Sequence, residues 1–195
     1  MRNKYIKIAL DEKNEFRACA DFVINGVGHS RINVKIDTGC GHTSIPVARL
    51  GLSKQIVDDW KYNDYANDSI KKVISFGVND TDERKRQIKK EFREGIYSGE
   101  ALSFIHEVKN IKINDVPIGD FQLRLNYHRT GNILIGMDIL KTWDIHIRKV
   151  ESGETILLAC PYNQINEEYL LELERTFKLG TLVSSAKVRD FIDFD

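Results

Sequence analysis

The chain predicts a mainly β domain with two helical additions, on three observations. Short runs that alternate apolar and polar residues fill 4–37 and 102–160, the period of a strand with one buried face. Turn signals rich in Asn, Gly and Pro separate them, among them NGVG at 25–28 and NDVPIGD at 114–120. Helical spacing is confined to an insertion at 53–94 and a tail beyond Pro161. The 195 residues suffice for one domain with a sizeable core and hardly for two. The expected division is a β domain over 1–160, carrying the insertion, and a helical tail over 161–195.

The elements follow in order. KYIKIAL (4–10), FRACADFVI (16–24) and residues 30–37 read as a meander of three strands, the last ending on Asp37. SKQIVDDWKY (53–62) suits a short helix capped by Ser53. NDYANDS is loop-like, and Lys72 to Val78 suits a strand. NDTDERKRQIKKEFREG then reads as a helix. Asp80 and Glu83 have capping-box spacing, acids open it, bases close it and Gly95 stops it. Ile88, Phe92 and Ile96 give that helix one narrow packing stripe, and its bases are interleaved with acids as on a solvated face. Strands resume with LSFIHEVKNIKI (102–113), FQLRLNY (121–127) and NILIG. MDILKTW suits one or two helical turns, and DIHIRKV, ESGE and TILLAC form a hairpin. A helix over 166–179, capped by Asn166 and stopped by Gly180, closes the reading.

Composition excludes several function classes. Lys plus Arg equals Asp plus Glu at 29 each, so the formal charge is zero and nothing draws a nucleic acid or an anionic membrane. The opening MRNKYIKIALDEKNE has no apolar run of signal-peptide length, and no stretch approaches the ~18 apolar residues of a membrane span. A cytoplasmic protein is expected. Cys19, Cys40 and Cys160 are too few and too scattered for a disulfide framework or a metal clip. Cys19 and Cys160 read as small buried hydrophobes. His29, His42, His106, His128 and His146 lack metal-ligand spacing and read as surface or turn residues, so no metal is expected. Neither GxxxxGK[ST] nor GxGxxG occurs, so no phosphate loop is expected. Trp60 and Trp143 read as packing residues.

One stretch, VKIDTGCGHTSIP at 34–46, asks for a chemical reading. Val34 and Ile36 alternate with Lys35 and run straight into Asp37 and a glycine-bearing turn. A strand-ending aspartate is often only a turn residue. It is also how a catalytic acid is held on a rigid element. Nearly a hundred residues on comes Ile133-Leu134-Ile135-Gly136-Met137-Asp138-Ile139-Leu140. Together the two segments resemble the retropepsin-like aspartic protease family. That family sets its catalytic Asp in a hydrophobic-hydrophobic-Asp-Thr-Gly turn and carries a downstream apolar run ending in Gly, often Leu-Gly-Met-Asp-x-Leu. Asp-Thr-Gly alone turns up in many unrelated chains. The two flanked motifs in this order carry the resemblance, which covers about 16–158 and leaves out the insertion and the tail.

The resemblance implies a retropepsin-like acid-protease β-barrel and an aspartic endopeptidase. Asp37 would be the catalytic acid/base, with Thr38, Gly39 and Thr43 supporting its turn. Cys40, Gly41 and His42 would lie along the substrate cleft. Ser98 and Gly99, within Tyr97-Ser98-Gly99-Glu100-Ala101, would belong to a flap. Ile135, Gly136 and Asp138 form the second motif, whose Asp is structural in the family. Viral members often pair an acid at the position of Gly41 with an Arg at that of Met137. Both are absent here, which points to the non-viral branch. Cys40 stands where Ala or Ser is usual.

Metal-free peptide hydrolysis needs one carboxylate to take a proton from water and a second, protonated, to donate to the carbonyl oxygen. Two close carboxyls share a proton and titrate as a pair, for which aspartic proteases are the standard example. The chain has one Asp-Thr-Gly and no Asp-Ser-Gly. The resemblance therefore implies a homodimer with Asp37 from each subunit at the symmetry axis. A protein or peptide substrate would lie extended as an added strand. No cofactor is implied. A catalytically idle dimerisation or peptide-binding module, and a latent enzyme blocked by its insertion or tail, are the alternatives.

Overall fold

A tight turn at Asn25-Gly26 sets up the first half of the fold. Both residues have positive φ, +48° and +77°, as a two-residue hairpin turn matched to strand twist requires. They join β2 (Arg17–Ile24) to β3 (Val27–Ile36), which pair antiparallel. This computed structural model describes residues 5–51, 71–74, 76, 79–97, 101–126, 131–161 and 179–186, with single positions at 55, 58, 59, 171 and 175. β1 (Ile6–Ala9) precedes the hairpin. β4 (Ser44–Pro46) and a 3-10 turn, Val47–Leu50, follow it. Next come β5 (Lys72–Ile74), helix α1 (Asp82–Arg93), β6 (Leu102–Ile113), β7 (Val116–Asn126) and β8 (Ile133–Ile135). The one-turn helix α2 (Met137–Leu140), β9 (Trp143–Val150), β10 (Thr155–Pro161) and β11 (Leu179–Ala186) complete the order.

Six strands close on themselves in the order β2-β3-β8-β4-β7-β6, and β6 returns to β2 through Ala20↔Ile113 and Ile24↔Val108. The mainly β architecture expected from the alternating runs, and the β-barrel that the resemblance implied, are thus what is observed. At its N-terminal end β6 also carries β5, along Leu102–Phe104. Two of the joins are parallel: β3 with β8, and β4 with β7. Alternate residues of each strand, including Ala20, Ile24, Val34, Ile36, Phe104, Val108, Leu123, Leu125, Ile133 and Ile135, are buried. A second sheet, β1-β10-β9-β11, packs one face on the same core through Ile6, Ile8, Trp143, Ile145, Leu157 and Ala159.

Several expectations change. Pro117 and Gly119 lie inside β7, not in a turn; the turn is Asn114-Asp115, both at positive φ. A register shift next to Ile111↔Gly119 accommodates Gly119, whose φ is +119°. α1 is capped by Thr81, whose hydroxyl accepts from Arg84 N–H at 3.3 Å, while Asp80 pairs with the Arg84 side chain instead. Gly95 does end that helix, at φ +73°, but Ile96 beyond it is 68% exposed and packs nothing. The strand expected over 72–78 is present over Lys72–Ile74, and residues 75, 77 and 78 lie outside the described residues. Residues 179–186 form a strand within the tail read as helical, because they find an unpaired edge on β9. Most of the expected helices 53–62 and 166–179 lies outside the described residues, as do the loop over 63–69, Trp60 and His128. Cys19 is exposed on the outer face of β2, whereas His29 and His106 are buried strand residues. Alternation along a strand, rather than residue type, decided all three.

Candidate active site

Asp37 follows directly on β3, and its N–H donates to Ile135 O at 3.0 Å, one step beyond the Ile36↔Ile135 pair. The chain then turns. Gly39 N–H donates to Asp37 Oδ1 at 3.0 Å, and Cys40 N–H donates to Asp37 O at 3.2 Å. One carboxylate oxygen is thereby fixed by the turn's own backbone, while the side chain is only half-buried. Thr38 and Gly39 are exposed beside it.

The second motif grips this turn from below. Met137 N–H donates to Cys40 O at 2.8 Å. Asp138 accepts from Thr43 N–H at 2.8 and 2.9 Å on its two oxygens and from the Thr43 hydroxyl at 2.6 Å. The Thr43 hydroxyl in turn accepts from Gly136 N–H at 3.0 Å, and Asp138 accepts from Ile139 N–H at 2.9 Å. Every polar atom of the fully buried Thr43 side chain is satisfied by this exchange. Gly136 is a close-approach glycine: a Cβ there would stand 2.5 Å from His42 C and 2.7 Å from Cys40 O. Gly39 differs, since a Cβ there would lie 3.4 Å from Asp37 Oδ1, at the edge of ordinary contact.

Asp37, Thr38, Gly39, Cys40, Gly41, His42 and Thr43 thus form one clamped turn with Ile135, Gly136 and Asp138. Ser98 and Gly99 lie outside the described residues. Of their neighbours, Tyr97 is described, and its hydroxyl accepts from Ala101 N–H at 3.1 Å. Cys40 Sγ donates to His42 O at 2.9 Å, which turns the thiol back on its own loop. Both Gly41 and His42 face solvent. Removal of water around the His42 ring, then the charges of Arg124 and Lys141, disfavour its protonation, with Asp138 opposing them.

The strand pattern gave no hint of Arg124 and Lys71, which stand next to this turn. Arg124 alternates with Leu123 and Leu125 and so reads as an ordinary outward residue. In register it lies beside Ser44 of β4 and Ile105 of β6, and its Nη1 approaches Ile74 O at 3.4 Å. Ser103 donates to the side chain of Asn126, which donates to Ser44, so a polar chain crosses β6, β7 and β4 beneath the same surface. Among the described residues no group of three His, Cys, Asp or Glu side chains could hold a metal ion. None of their helices is long and apolar enough to cross a membrane.

No family model matches the chain. No curated protein matches it either. Among solved structures it is similar to a retropepsin-like aspartic protease from Rickettsia conorii, with 14% identity over 80% of this chain and 92% of that one and a TM-score of 0.42. At that identity and score the similarity transfers neither activity nor site residues. The closed β-barrel and the clamped Asp37 turn stand on their own geometry.

Proposed function

We propose that the chain is an aspartic-type endopeptidase of the retropepsin kind, acting as a homodimer in which Asp37 of each subunit shares one proton with its twin. The observation that carries this reading is the Asp37 turn. A half-buried carboxylate sits at the end of a barrel strand, with one oxygen held by Gly39 N–H and the loop clamped by Asp138 and Gly136. Such a support fixes an acid without neutralising it, as general acid–base chemistry demands.

The chain has one Asp-Thr-Gly, and a lone carboxylate cannot take a proton from water and donate one to the carbonyl oxygen in the same step. A second copy about a two-fold axis supplies the missing group. Asp37 in its ionised form takes the proton of the attacking water. The protonated twin donates to the substrate carbonyl oxygen, and the proton then passes to the leaving amine. Thr38 is exposed beside Asp37 and would be the residue that braces the partner's turn. The substrate is a protein or peptide held extended.

Cleavage of an unstructured protein substrate, followed by electrophoresis across mildly acidic to neutral pH, tests the reading. Asp37→Asn is expected to abolish cleavage, and specific activity is expected to rise with enzyme concentration as dimer forms. Cleavage that survives Asp37→Asn ends the proposal. A folded dimer that binds peptide without turnover would instead be the idle module.

A further inference from the structure

We propose that the cavity beside the Asp37 turn is a subsite for a carboxylate side chain of the substrate peptide, with Arg124 and Lys71 as its specificity-determining residues. This rests on the peptidase reading above and narrows it to substrates bearing Glu or Asp near the cleaved bond.

The cavity has a volume of about 570 Å³, within the range that holds a bound small group. Its wall includes His42, five residues past Asp37 on the same turn, which ties the cavity to the loop that carries the candidate acid. Among the described residues of the wall, two cations, Lys71 and Arg124, accompany one anion, Asp138. The Asp138 carboxylate already accepts from Thr43 N–H, the Thr43 hydroxyl and Ile139 N–H. The described part of the wall therefore carries net positive charge. Val73 and Ile105 give it an apolar floor suited to the methylene groups of a Glu side chain.

Register puts the two cations on one face. Arg124 pairs with Ile105 across β6 and β7, and Ile105 N–H donates to Lys71 O at 3.0 Å. Arg124 is drawn partly out of water, which is the first cause disfavouring its charge, and its field reaches the His42 ring. A guanidinium in such surroundings gains most from a planar carboxylate, which it can bind through two parallel hydrogen bonds. An uncharged amide of the same shape loses that gain.

The test uses fluorescent octapeptides of one neutral sequence, with Glu placed at each position in turn and a matching Gln peptide for each. Binding to the Asp37→Asn protein is measured by anisotropy, so turnover does not enter. At one position Glu is expected to bind about tenfold more tightly than Gln. Arg124→Gln should bring the pair within about twofold, and Lys71→Gln should narrow it by a smaller factor. Lys71 is exposed, so its variant keeps the test alive if Arg124→Gln unfolds. Equal binding of Glu and Gln at every position, or no binding of any Glu peptide, overturns the subsite. Cleavage by the unmodified protein without Glu preference sinks the subsite and leaves the peptidase. Glu preference without cleavage does the reverse.

Discussion

Thr43 and Asp138, 95 positions apart in the chain, are joined through both the backbone N–H and the hydroxyl of the threonine, at 2.8 and 2.6 Å from Asp138 Oδ1. This pairing holds the Asp37 turn onto the end of β8. Asp138→Ala would leave the N–H and hydroxyl of a fully buried Thr43 without an acceptor. Orphaned donors of this kind cost about 1–3 kcal/mol each, so a loss of about 3 kcal/mol is expected. Asp138→Asn keeps one acceptor oxygen and should lose about 1 kcal/mol. Urea denaturation midpoints of the two variants check the order, and equal midpoints would contradict it.

Two glycines in the site should respond differently. Gly136→Ala drives a Cβ against three backbone atoms of Cys40 and His42, none of which is the end of a flexible side chain. Overpacking against rigid backbone costs about 1–3 kcal/mol, and the Met137–Cys40 hydrogen bond should fail with it. Gly39→Ala meets only Asp37 Oδ1 at 3.4 Å, and a change within about 0.5 kcal/mol is expected, as for most surface substitutions. Thermal melts of both variants give the comparison.

Stability should fall in two separate steps on acidification. Burial holds the His29 pKa below its ordinary 6.5. The folded state then binds fewer protons than the unfolded one, so stability declines as pH drops from 6.5 to the folded value, then levels off. Glu15 is held below its ordinary 4.5, first by hydrogen bonding to Lys35 and then to Arg17. Its contribution is complete above 4.5 and is lost as pH falls through its folded value. His29→Phe should shrink the upper step, to which His42 also contributes, and leave the lower one, which Glu15→Gln should reduce. Melting temperature recorded against pH separates them.

The parts of this fold legible in the sequence are those where one local rule acts without competition. LSFIHEVKNIKI became β6 with unchanged bounds because its apolar residues keep a strand's period on either side of one break near Asn110. Asn25-Gly26 gave its turn because its left-handed backbone suits few other residues. Asp37 and Gly136 stood out because flanked motifs, not single residues, marked them. β4 was illegible, since three residues show no period and its pairing with β7 is set by distant strands. Pro117 and Gly119 misled because turn residues are also tolerated beside register breaks. The face of Cys19 and His29 depends on register, which composition does not encode. Arg124 was missed because its neighbours, rather than its place in β7, give it interest.

The parallel pairing of Val34 with Ile133 and of Ile36 with Ile135 has a consequence for how the protein is made. On the ribosome, β2 and β3 emerge long before their partner β8 has been translated. The aspartate loop must then wait, unanchored, for about a hundred further codons. Contacts so distant along the chain form late and slowly. A message truncated before codon 133 would yield a hairpin but no clamped loop. Whatever chemistry the loop performs is withheld from the nascent chain until β8 and the turn after it have left the exit tunnel.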